Sequence, residues 1–130
     1  MRPSFNTPFS LTLFYRLPVI AVCLAIFWQS SYPGIISVPL FPHADKLLHF
    51  CVYAFLAFLT ARDLIAEKPF WSPMKIKVAA ILFASLYGVS DELHQAFVPE
   101  RDASVFDVIA DVAGSISGSV FYFNFLTRKT

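Results

Sequence analysis

Seven side chains of types that do acid, base or metal chemistry, Asp45, His49, Asp91, Glu92, His94, Asp107 and Asp111, are set into an otherwise oily sequence. Residues 90–111, SDELHQAFVPERDASVFDVIAD, hold six of the nine acidic residues. Carboxylates crowded in a low dielectric acquire split proton affinities, so Asp91, Glu92 and Asp107, with Asp111 beside them, are candidates for the acid and base of a hydrolase or transferase. Mixed carboxylates and imidazoles also hold divalent metals that activate water or clamp a phosphate. No HExxH or CxxC spacing accompanies these residues, so a metal would need ligands from separate helices, and the cofactor stays open.

Two cations stand beside the acids, Lys46 and Arg101. The planar fork of arginine binds a phosphate, pyrophosphate or carboxylate bidentately, and lysine does so as a point charge. The competing use is structural: Arg101 pairs Asp91 or Asp107, Lys46 pairs a neighbouring acid, and the pairs fix helix ends.

The elements that position these groups follow from the apolar runs. Four of them, at about 10–31, 45–61, 75–95 and 104–126, predict helices of roughly the 20 residues a bilayer requires. Proline-rich connections, SYPGIISVPLFPH, AEKPFWSP and FVPER, separate them. Basic Arg2 and Arg16 precede the first run as in a signal peptide, but no small-residue cleavage site follows it convincingly, and an uncleaved helix is expected. Pro18 falls near the start of that run, where a missing amide costs least.

Composition agrees. With 57% hydrophobic residues, 15 Phe and only 15% charged residues, the chain lacks the polar shell of a soluble domain. Its formal charge of +1 offers no basic field for nucleic acid. Cys23 and Cys51, both inside apolar runs, read as small buried hydrophobes rather than a disulfide or zinc site.

Orientation follows from lysine and arginine. Arg2, Arg16, Arg62, Lys68, Lys75, Lys77, Arg128 and Lys129 flank one side and only Lys46 and Arg101 the other, which puts both termini in the cytoplasm. All three histidines and most of the acids then lie at the outer ends. Counting inward from the basic brackets places His49, Asp91, Glu92, His94, Gln95 and Asp111 within the outer leaflet's depth, where ionised groups must face the bundle interior, a cleft or each other. Helical spacing allows this: Lys46, His49 and Tyr53 share one stripe, Tyr87, Asp91, His94 and Gln95 another, and Ser104, Asp107 and Asp111 a third. Asp91 and Glu92, being adjacent, do not share a face, so one of them is expected at headgroup level. Tyr53 and Tyr87 read as packing or interface aromatics rather than acids. Ala110, Gly114 and Gly118 form a small-residue ridge for close helix approach, and Ser104 reads as an N-cap with an acid three residues on.

Asp45, Lys46, His49, Phe50, Tyr53, Asp91, Glu92, Gln95, Phe97, Pro99, Arg101, Ser104, Asp107 and Gly114 together resemble the VanZ-like family of small bacterial membrane proteins, named after a teicoplanin-resistance determinant. The likeness covers most of the chain after the first helix and departs at Asp111, where the family pattern has Asn. It implies an all-α, polytopic four-helix membrane bundle linked to glycopeptide tolerance and envelope stress.

The expected protein is therefore a multi-pass component of the bacterial cytoplasmic (inner) membrane with a polar pocket at the outer face. That pocket would recognise, and in a further step process, an anionic lipid-linked molecule such as a cell-wall precursor or polyprenyl phosphate. Lys46 and Arg101 would hold the anion, His49, Gln95 and Ser104 would orient it, and Asp91, Glu92 and Asp107 would act as acid, base or ligands. The rival is a scaffold or partner-binding subunit whose ionic cluster locks the helices. A proton or ion carrier is disfavoured, because no charged residue is expected on the cytoplasmic half of any helix.

Overall fold

The computed structural model describes residues 7–33 and 41–127. Among them the chain is all helical, with no strand: α1 (Pro8–Ser30), α2 (Ala44–Glu67), α3 (Pro73–Gln95) and α4 (Val105–Leu126). Arg2, Arg128, Lys129 and most of the first proline-rich connection lie outside the described residues.

Local chemistry sets the helix starts. Thr7 caps α1 by accepting the Ser10 amide at 3.2 Å, with Pro8 in the first turn. Ser72 caps α3 by accepting the Lys75 amide at 3.2 Å, again followed by proline. Proline is tolerated there because its missing N–H is one the helix leaves unpaired anyway. His43 enters α2 in the left-handed region, φ 64°, with no side-chain cap.

Pro18 is an interior residue, not a starting one, because α1 begins ten residues earlier at Pro8. It has no amide hydrogen to give the Phe14 carbonyl four residues back. Helix α1 widens into a π turn over Thr12–Arg16 immediately before it, and Arg62 of α2 donates to the Phe14 carbonyl at 2.8 Å. A side chain from the next helix thus reaches a backbone carbonyl at the π turn.

The surface is apolar and the interior partly polar. Leu24, Trp28, Phe55, Leu82, Leu86 and Ile109 are all exposed, whereas Asp91, Glu92, Gln95, Asp107 and Asp111 are buried. A water-soluble bundle distributes its residues the other way, and hydrocarbon as solvent accounts for this one. Among the described residues three helices, α1, α2 and α4, are long and apolar enough to cross a membrane. The four expected spans thus reduce to three by this criterion, and α3 keeps only residues 78–90 uncharged between Lys77 and Asp91, about 20 Å of helix.

Helices α2 and α4 make the closest approach. A Cβ at Gly114 would lie 2.2 Å from the Phe50 carbonyl oxygen, and one at Gly118 only 1.9 Å from that of Ala54. The two contacts advance by four residues on both helices, so α2 and α4 run parallel, with α3 antiparallel between them in sequence. Ala57, Ala61, Ala80 and Ala84 continue the small-residue packing, filled out by Leu56, Tyr53, Ile76 and Phe123. Cys51 is exposed and Cys23 half-buried, both free, so the expectation of two buried cysteines fails at Cys51, which faces outward beside the packed stripe of α2.

Candidate functional site

The close packing of α2 on α4 brings His49 against Asp111. The Asp111 carboxylate is 0% exposed, and its Oδ1 lies 2.8 Å from His49 Nδ1. Gly88 of α3 makes the room, since a Cβ there would sit 2.7 Å from Asp111 Oδ2. With Nδ1 engaged, the far nitrogen of the ring, Nε2, points at two further carboxylates, 3.9 Å from Glu92 Oε1 and 3.8 Å from Asp107 Oδ2. Lys46, one turn before His49, reaches Asp107 Oδ1 at 3.2 Å and Asp45 Oδ2 at 2.9 Å. Three helices thus converge on one ionic centre at one end of the bundle, although α3 contributes Glu92 rather than the expected stripe of Tyr87, Asp91, His94 and Gln95.

Asp91 and Glu92 both point inward, against the expectation that one would sit at headgroup level. Helix α3 is flanked on two sides, so adjacent residues find different buried partners. Glu92 joins His49 and Asp107, whereas Asp91 Oδ2 accepts from Tyr53 OH and Gln95 Nε2, each at 3.2 Å. Gln95 Nε2 also donates to Ser30 Oγ at 3.2 Å, tying the end of α1 to this second cluster. Tyr53 is therefore a buried hydrogen-bond donor rather than mere packing. Tyr87 likewise donates, to the Cys23 carbonyl at 2.5 Å.

His94 stands apart from the centre, stacked on Phe27 with ring centroids 4.7 Å apart and Nε2 3.0 Å from Ser31 Oγ. Arg101 pairs neither Asp91 nor Asp107. Its Nη2 donates to the Gln29 carbonyl at 3.2 Å and to Gln29 Oε1 at 3.1 Å, so it clasps the carbonyl end of α1, where a cation also meets the negative end of the helix dipole. Gln29, Ser30 and Ser31 were not among the sequence candidates. The signal was present, in three consecutive polar residues closing an apolar run.

Ser104 caps α4, its Oγ accepting the Phe106 amide at 3.2 Å. In a capping box the acid at the third helical position accepts the cap residue's own amide. Here Glu92 of α3 does so instead, its Oε2 3.0 Å from Ser104 N, while Asp107 turns to Lys46. Glu92→Ala is accordingly expected to strand the Ser104 amide and lower stability by about 1–3 kcal/mol, whereas Glu92→Gln keeps an acceptor and most of the stability. Thermal unfolding in detergent checks this; equal melting of the two variants would remove Glu92 from the cap.

The opposite end carries a separate ionic set. Helix α2 runs to Glu67, six residues past the expected end at 61, so Arg62, Asp63 and Glu67 are helical. Arg16 of α1 pairs with Glu67, and with Asp63 at 3.5 Å. This end of α2 therefore carries charged residues within the helix itself.

Comparison with curated proteins and with solved structures returns no match. The chain, all helical among its described residues with three helices there fit to cross a membrane, an apolar exterior and an ionic centre assembled from DKLLH, SDELHQ and SVFDVIAD, is matched over residues 2–127 by the family model described as VanZ/LLP1, and it belongs to the VanZ/LLP1 family.

Proposed function

We propose that this protein binds an anionic, lipid-linked envelope molecule, a cell-wall precursor or polyprenyl phosphate, in the bacterial cytoplasmic membrane. The observation that carries the reading is Lys46. Its side chain is 30% exposed and at the same time contacts buried Asp107, so it joins the surface to the ionic centre. A headgroup that replaces Asp45, itself exposed, as the partner of Lys46 would lie next to His49, Glu92 and Asp107. The apolar exterior supports a lipid-borne ligand, which reaches such a site by lateral diffusion. By the distribution of lysine and arginine, both termini are cytoplasmic and the centre faces outward. Family membership is the ground for extending the role to glycopeptide tolerance and envelope stress. His49 with Asp111, and Glu92 with Asp107, supply the groups that proton transfer to or from a bound headgroup would use.

The structural reading draws support from Arg101 and Glu92, which hold backbone groups at helix ends. Binding separates the two. In nanodiscs, wild-type protein is expected to retain undecaprenyl phosphate or lipid II in native mass spectra, with Lys46→Ala weakening retention at least about tenfold, near the 1.4 kcal/mol of one charge-assisted hydrogen bond. Retention unchanged in Lys46→Ala, or no preference over phosphatidylglycerol, would leave the ionic centre as a helix lock.

A further inference from the structure

We propose that one divalent metal ion binds among His49, Glu92 and Asp111, where α2, α3 and α4 meet. Each residue offers one ligand atom, and these atoms all lie within 4.8 Å of one another. Ligands held about 2.0–2.2 Å from a common ion need that mutual closeness. They come from three helices, so the fold and not a sequence motif builds the site, as in bundle metalloproteins generally.

Proximity of acids is not the only ground. Glu92 Oε1 and Asp111 Oδ2 are buried without any hydrogen-bond partner, on residues 5% and 0% exposed. Nearly all buried oxygens in folded proteins are matched, and two orphans beside one imidazole point to a missing cation. Charge points the same way. Glu92, Asp107 and Asp111 bury three carboxylates at the centre, with Asp91 in the cluster beside it, while the cationic groups in contact with the centre are Lys46 and, when protonated, His49. Ionised acids in that ratio are costly away from water unless a further positive charge joins them.

The donor set narrows the ion. One imidazole nitrogen with carboxylate oxygens suits Mn²⁺, Fe²⁺ or Zn²⁺ better than the all-oxygen ions Mg²⁺ and Ca²⁺. Asp107 Oδ2, 3.8 Å from Nε2, stands by as an additional oxygen. The metal deepens the lipid-phosphate reading, on which its role rests: it would add the positive charge that Lys46, shared between two acids, gives a phosphate only in part.

The test uses the full chain, purified in detergent and stripped with a chelator, then titrated with Mn²⁺ and Zn²⁺ by calorimetry and metal analysis. Wild type is expected to take up close to one equivalent, to melt at a higher temperature when loaded, and to show nitrogen coupling from His49 in the pulsed electron paramagnetic resonance of bound Mn²⁺. Glu92→Gln, which keeps an acceptor for Ser104, and His49→Gln should each weaken binding at least about tenfold, and exposed Asp45→Asn should not. Absence of stoichiometric uptake, absence of nitrogen coupling, or wild-type affinity in both variants would overturn the site. Stripped protein that binds polyprenyl phosphate yet takes up no metal would overturn the metal alone. Metal uptake by protein that binds no polyprenyl lipid would uphold the site and overturn the lipid reading.

Discussion

Gly118→Ala is expected to destabilise the protein strongly, although alanine is the better helix former by about 1 kcal/mol. The added Cβ would lie 1.9 Å from the Ala54 carbonyl oxygen and 2.6 Å from its carbon. Those are backbone atoms of a neighbouring helix, so no rotamer change relieves the overlap, and α2 and α4 must separate. Overpacking of this kind typically costs 1–3 kcal/mol and more where the neighbour is rigid. A loss of about 3 kcal/mol corresponds to a fall of roughly 10 °C in the melting temperature of a chain this size. The separation would also draw His49 from Asp111, since Gly114 makes the same approach one turn nearer that pair. Ile116→Ala, on the exposed face of the same helix, should melt within a degree or two of wild type. Equal or greater stability of Gly118→Ala would mean that the close α2 and α4 contact does not exist in the membrane protein.

The second large effect lies at the ionic centre. His49→Leu is expected to cost about 3–5 kcal/mol, the usual penalty for removing one partner of a buried ion pair. It leaves the fully buried Asp111 carboxylate without the His49 hydrogen bond at Oδ1, with Oδ2 already unpartnered. Most of the loss comes from the stranded carboxylate rather than from the missing contact, so Asp111→Asn placed in the same chain should recover a large part of it. A coupling of at least about 2 kcal/mol between the two substitutions, read from a double-variant cycle of chemical unfolding, is the expected result. Additive losses would show that Asp111 is neutral in the folded protein and that His49 matters only as packing. Asp111→Asn alone should cost little, because an amide oxygen still accepts from His49.

Both effects depend on which helices touch, and here the sequence and the tertiary structure divide. The number and order of helices, their apolar character and the N-cap at Ser104 were legible because they depend on local spacing and composition. The grouping of Lys46 with His49, and of Asp107 with Asp111, was legible too, since residues three or four apart must share a helix face. Helical periodicity also exposed the ridge of Ala110, Gly114 and Gly118, though not the helix it would meet.

Other features required neighbours that no local pattern names. The inward turn of both Asp91 and Glu92 arises because α3 packs on two sides at once. The acceptor for the Ser104 amide comes from Glu92, twelve residues back on another helix, and the group covering the Phe14 carbonyl beneath Pro18 comes from Arg62, forty-eight residues on. Arg101 chose the end of α1 over the acids nearer in sequence, because a helix terminus buried in an apolar bundle leaves carbonyls that need a donor. Spacing along one helix fixed which groups travel together, since it depends only on the 3.6-residue turn; the packing of the helices decided which groups meet, because a buried charge takes whatever partner the neighbouring helix brings within hydrogen-bond reach.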